Sequence, residues 1–229
     1  MKYYSHISLN LFFLSIIISA DFPDKTQLIR KNSVAKTIGR EDRKDGVHSG
    51  NRVLTRIYNH GAIGDLSSSF SGVYPIGSGH AYIFEFSPII AASVVDANGF
   101  RKHIISDGTI GLTDNSPEGT PWGFEPLSGY ANPNQENLAM SDNENSWPDS
   151  WPNRPSDWDG EWNGQYGKYV RADQESYFVV DDYYNSEFEF WPDENDIPQD
   201  TTAASDNHRR GLGIQLDVRG YQWNHPAAE

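Results

Sequence analysis

Four prolines between Gly108 and Met140, at Pro117, Pro121, Pro126 and Pro133, forbid a long helix across the middle of the chain. Each removes a backbone donor, and its ring clashes with the preceding helical turn. What remains is a strand-and-turn architecture, and the flanking residues carry its pattern. Val53, Thr55 and Ile57 alternate with Leu54, Arg56 and Tyr58, and Tyr82, Phe84 and Phe86 alternate with Ile83 and Glu85. Such a period of two belongs to a pleated strand with one face turned to a core. Ile89 to Val95 is small or apolar almost throughout and predicts a strand covered on both faces. Asn98-Gly99 follows as a hairpin turn, with Phe100 to Ile105 as the returning strand. Ser176 to Val180 and Glu187 to Trp191 predict further strands, and Gln135 to Met140 is the one place for a helical turn. The fold class is therefore mainly β, with antiparallel, sandwich-like sheets, long Pro- and Trp-bearing loops and little helix.

Near the end of the chain Ile214, Leu216 and Val218 share one face. Gly220 intervenes, and Tyr221 and Trp223 resume the alternation in the opposite phase. One extra residue at a bulge would return all five large side chains to a single face, so a bulge is expected at Gly220. A strand this apolar also wants a partner beyond Glu229, and the β-rich domain, residues 53–229, is expected to be incomplete at its C-terminal end.

The first twenty residues read as an export signal. Lys2 precedes an apolar run from Leu9 to Ile18, with Ser19 and Ala20 suited to cleavage. The run is shorter than the roughly 20 residues of a spanning helix, so no transmembrane segment is expected after cleavage. Residues 21–52 carry a net charge of +3 and sparse apolar residues, which predicts an exposed basic leader or linker. Over the whole chain of 229 residues, 32 Asp and Glu outweigh 18 Lys and Arg, for a net charge of -14. That balance excludes nucleic acid as a main partner. The absence of Cys excludes disulfides, thiolate zinc sites and a Cys nucleophile.

Most of the negative charge lies in Glu136 to Asp200, where 17 acidic residues meet only Arg154, Lys168 and Arg171. Trp147, Trp151, Trp158, Trp162 and Trp191 are interleaved with them, as are Tyr166, Tyr169, Tyr177, Tyr183 and Tyr184. Three readings fit this mixture. Indoles can cover a sheet while Asp and Asn side chains cap turns. Asp157, Asp159, Glu161, Asp181 and Asp182 offer hard oxygen ligands for calcium, although their spacing is not that of an EF-hand loop. Finally, Trp151, Trp158 and Trp162 could form a platform for the apolar faces of a polysaccharide, with neighbouring acids taking its hydroxyls.

Enzyme signatures are absent from the sequence. The seven His residues make no zinc spacing, and Gly77-Ser78-Gly79 fails the nucleophile-elbow pattern because Pro75 occupies its first Gly position. For a glycan hydrolase, which needs two facing carboxyls, the residues to consider are Glu175, Asp181 and Asp182.

Several stretches together carry a resemblance. Gly50 to Val53, Asn59 to Gly64, Tyr74 to Gly79, Ser146 to Pro148, Tyr177 to Asp182 and Arg210 to Ile214 resemble the N-terminal region of large, mostly uncharacterised exported bacterial proteins. That group often ends in a sorting domain for type IX secretion. The resemblance implies a β-rich N-terminal region, export across both membranes and a missing C-terminal continuation. Polysaccharide or other surface proteins are the expected partners. It carries no catalytic or binding residue. The resulting expectation is a non-catalytic structural or adhesive protein, with a carbohydrate-binding module and a glycan hydrolase as the alternatives.

Overall fold

A computed structural model describes residues 39–65, 68–95, 99–109, 123–182, 185 and 212–225. The export signal, most of the basic leader and the Glu187–Trp191 strand lie outside the described residues. Within them the protein is mainly β with antiparallel sheets, and the only helical pieces are 3-10 turns of three or four residues.

The organising element is β7, Gln174–Asp181, all eight of whose residues are buried. Its run of Tyr177, Phe178, Val179 and Val180 suits a strand enclosed on both sides. β8, Gln215–Gln222, pairs along its full length, from Gln174 opposite Gln222 to Asp181 opposite Gln215. Two short strands share the opposite edge: β5, Glu125–Pro126, meets Val180 and Asp181, and β6, Ala139–Met140, meets Ser176 and Tyr177. Pro126 is tolerated because β5 is a two-residue edge piece.

Each face of this sheet is covered differently. The even-numbered residues Phe178 and Val180, with Leu216 from β8, pack against Ile57, Phe124, Leu138 and Met140. Ile57 belongs to β2, Thr55–Tyr58, which forms a ribbon with β1, Asp45–His48. The odd-numbered Tyr177 and Val179 pack instead against Leu127, Tyr130, Trp151 and Trp162. One face is thus roofed by strands and the other by loops.

The remaining ribbon joins β3, Ile89–Val95, to β4, Arg101–Asp107. The predicted hairpin is present, with Gly99 in the left-handed region at φ 81°. Coverage of β3 on both faces is not: Ile89, Ala91, Ser93 and Val95 are exposed. Among the described residues its sheet has only two members and no layer lies over that face, so the strand is not enclosed. Tyr82, Phe84 and Phe86 form no strand either; single bridges at Ala81 and Phe86 pair with Val73 and Ile63, and the Tyr82 and Ile83 amides donate to Gly72 O and Ser71 O.

Three further expectations are corrected. No bulge occurs at Gly220, which sits in continuous register opposite Ser176. A Cβ there would come within 2.4 Å of Ser176 Oγ and 2.8 Å of His48 Nε2, so glycine is required by the closeness of a packed pair. Gln135 to Met140 contains no helical turn; its end is β6. The exposed leader does not extend to Arg52, because β1 is integral to the fold. Arg43 makes a bidentate ion pair with the buried Glu125 at 2.7 Å, and His48 is buried with Nε2 2.8 Å from Ser176 Oγ. A four-residue strand containing Gly46 and a buried His leaves no hydrophobic period to read.

Candidate functional site

The acidic aromatic segment is the region where chemistry is expected, and the structure turns its Trp151, Trp162, Glu175, Asp181 and Asp182 inward. Residues 147–171 loop across the odd-numbered face of β7. Trp151 and Trp162 are each 2% exposed and meet edge to face, with ring centroids 6.0 Å apart at 87°. Trp147 and Tyr177 extend the cluster at 5.4 and 5.8 Å. Aromatic quadrupoles favour such tilted contacts over face-to-face stacking. The indole donors of Trp147, Trp151 and Trp162 all have partners: Trp147 Nε1 donates to Met140 O at 2.7 Å, and Trp151 Nε1 to Glu161 O at 2.9 Å. Trp162 Nε1 donates to Glu175 Oε2 at 2.7 Å.

These positions remove the platform expected from Trp151, Trp158 and Trp162. Two of the rings are core. Trp158 is half-buried, with Arg154 stacked on it at 4.3 Å and Lys168 5.6 Å from its centroid. Lys168 is in turn paired with Asp157 at 3.0 Å.

The carboxylates are equally engaged. Glu175, 2% exposed, accepts the Trp162 indole on one oxygen and the Arg171 and Ala172 amides on the other, at 2.6 and 3.0 Å. Asp182 accepts Leu212 N at 2.6 Å, Ile214 N at 2.8 Å and Ser106 Oγ at 2.9 Å, so it clasps β4 to the start of β8. Burial nevertheless raises its pKa, outweighing the three donors that favour the anion. Pleat geometry excludes a catalytic pair among these acids. Glu175 and Asp181 share a face but stand six residues apart on one strand, about 20 Å at about 3.3 Å per residue, far beyond the separation a glycosidase uses. Asp182 projects to the opposite side.

Nor do the proposed calcium ligands assemble. Asp157, Asp159 and Glu161 are exposed on the loop, whereas Asp181 and Asp182 are buried at the end of β7. Among the described residues no group of three or more acidic or His side chains is placed to hold a metal. An open depression of about 630 Å³ lies beside β1, lined by Arg43, Lys44, Tyr58, His60 and residues 133–136. Its polar groups already bond inward: Tyr58 to Asp65, His60 Nδ1 to Gly108 O, and Lys44 Nζ to Gln135 O. No helix among the described residues is long and apolar enough to cross a membrane.

What stays accessible is a second aromatic set, which the sequence reading did not single out as a site. Tyr166 and Tyr169, on the loop layer, are 65% and 53% exposed, and Trp223 is 55% exposed. Trp223 lies parallel to Tyr221, with centroids 5.4 Å apart and planes inclined by 14°. The Tyr221 hydroxyl donates to Gln165 Oε1 at 3.0 Å, which joins this pair to the loop carrying Tyr166. Arg171 lies over the Tyr166 ring at 4.8 Å. Burial chiefly raises the Tyr221 pKa, and Tyr166 is among the neighbours adding to it. The signal for this set was the phase change at Gly220. Without a bulge, it places Tyr221 and Trp223 on the face opposite Leu216 and Val218.

No family model, curated protein or solved structure matches the chain.

Proposed function

We propose that this is a non-catalytic, β-rich region of an exported bacterial protein, with a structural or adhesive role outside the cell or on its surface. One observation carries the non-catalytic part. Glu175 and Asp182, acids central enough to do chemistry, are held by fixed internal donors and serve as fasteners of the loop layer and of β4. A general acid or base needs a lone pair facing substrate, and buried oxygens filled by backbone amides offer none. The export half rests on the signal-like residues 1–20 and on the resemblance of residues 50–229 to large exported proteins.

Two measurements test this reading. The full chain expressed in a Gram-negative host is expected to leave the cytoplasm with a new N-terminus near Asp21, and a chain lacking residues 1–20 is expected to stay inside. Retention of both in the cytoplasm contradicts export. Purified protein incubated with soluble polysaccharides is expected to release no reducing ends; release abolished by Glu175→Gln contradicts the non-catalytic assignment. The carbohydrate-binding alternative keeps one specific support, the exposed rings of Tyr166, Tyr169 and Trp223.

A further inference from the structure

We infer that the ledge formed by Tyr166, Tyr221 and Trp223 is a binding site for a neutral polysaccharide. This rests on the adhesive part of the function proposed above and gives it a location and a ligand class. Three features make the ledge more than a scatter of surface rings. Its rings are ordered: Trp223 lies flat against Tyr221 at an inclination of 14°, and Arg171 braces Tyr166 at 4.8 Å. Tyr and Trp have only two side-chain torsions, so a ligand met by braced rings costs little further conformational entropy.

The loop beneath is also fastened to the sheet. Asn163 O accepts a bond from Arg219 Nη1, Asn163 Oδ1 accepts one from Arg154 Nε at 2.7 Å, and Gln165 holds Tyr221 at 3.0 Å. Rings on loop and strand therefore keep their relative placement. Finally, polar groups lie beside the rings. Gln165 retains its amide donors, Arg171 is exposed, and Asp173, which accepts Asn224 N at 2.7 Å, is exposed as well.

This combination fits a pyranose chain. The axial C–H bonds of a sugar ring carry slight positive charge and suit the negative face of an indole or phenol, while its hydroxyls need amide, guanidinium and carboxylate neighbours. Charge selects among glycans. A chain with a net charge of -14 repels uronate or sulfate polymers at a distance, whereas a neutral polymer meets no such barrier.

Affinity electrophoresis of the purified full chain tests the assignment, in native gels containing a mixed-linkage glucan, a galactomannan, a xylan or, as an anionic control, alginate. At least one neutral polymer is expected to retard the protein. Trp223→Ala and Tyr166→Ala are each expected to weaken that retardation about tenfold, the equivalent of about 1.4 kcal/mol. Trp158→Ala, outside the ledge, is expected to stay within about twofold of the original. Tyr166 is exposed enough that its truncation leaves the fold intact, so this variant decides the matter if Trp223→Ala fails to fold.

Retardation by none of the neutral polymers overturns the proposal, as does retardation indifferent to both ring truncations. Binding to alginate alone, lost in Arg171→Gln, also overturns it. None of these outcomes disturbs the non-catalytic reading. Conversely, reducing ends appearing in the polymer would overturn that reading and leave the ledge standing.

Discussion

Indoles from the most acidic stretch of this chain help to build an interior, while one face of the apolar strand β3 lies open to water. Trp162, set among Glu161, Asp159 and Asp157, is 2% exposed; Ile89, opening the run of Ile, Ala and Val in β3, is 64% exposed. Hydropathy alone predicts the reverse. The difference lies in what each segment has to lie against. The loop layer rests on a strand whose odd-numbered face offers Tyr177 and Val179, and each polar group it brings inward finds a partner: Glu175, the Glu161 carbonyl, Asn163. Among the described residues, β3 is paired on one edge only and presents its alternate residues to no second layer. Burial follows available surface and completed hydrogen bonds more closely than composition.

The largest expected effect breaks the interior side of this contrast. Trp162→Ala removes a ring packed against Trp147, Trp151 and the sheet and leaves Glu175 without its indole donor. A loss of about 4 kcal/mol in unfolding free energy by urea titration is expected. A loss below about 1 kcal/mol, the range of surface changes, would mean that the layer is not core. Glu175→Ala is expected to cost about 3 kcal/mol, because it strands two backbone amides and the indole N–H in a buried site.

Acid probes the interior a third way. Burial holds His48 down to about 4 and His60, with a smaller contribution from Arg43, to about 3. Both imidazoles are therefore neutral when folded, whereas in the unfolded chain they accept protons below about 6.5. The stabilisation is complete above pH 6.5 and is lost as the pH falls towards the folded values. Roughly 3 kcal/mol per His is at stake at the low end of that window. Asp182 acts in the opposite sense. Its raised pKa adds stability as the pH drops through the folded value towards 3.8, at the acid end of the same titration. Urea midpoints should stay level from pH 7.5 to about 6.5 and then fall towards pH 4, and His48→Gln should remove about half that slope. An unchanged slope would show that His48 does not titrate with unfolding.

The smallest effect sharpens the other side. Ile89→Thr and Phe84→Ser, at exposed positions of the open region, should each stay within about 0.5 kcal/mol of the original. A loss as large as that of Trp162→Ala would reveal a cover over this ribbon and erase the contrast.

Some of this was legible beforehand. The strand at Ser176 to Val180 announces itself by an unbroken apolar run, and the β3–β4 hairpin by Asn98-Gly99. Local rules suffice where the deciding neighbours are close in sequence. They fail where the neighbour is distant. Read against its own strand Gly220 suggests a bulge, yet the deciding contacts are Ser176 and His48, 44 and 172 positions away. The leader reading of β1 fails for the same reason, since Arg43 and His48 find their partners in Glu125 and Ser176. The indole platform fails because composition cannot say which way a ring turns. The ledge was legible in principle, through the parity of Tyr221 and Trp223, once the pleat is allowed to run unbroken.

The position of β7 has consequences for how the chain acquires its shape. Its two edges and two faces are completed by segments reaching from Asp45 to Gln222, so no early portion of the polypeptide can close the barrier to water around it. A nascent chain halted before Gln215 would lack one whole flank of hydrogen bonds and remain pliable. Completion of this sheet waits for β8 to emerge and pair with β7.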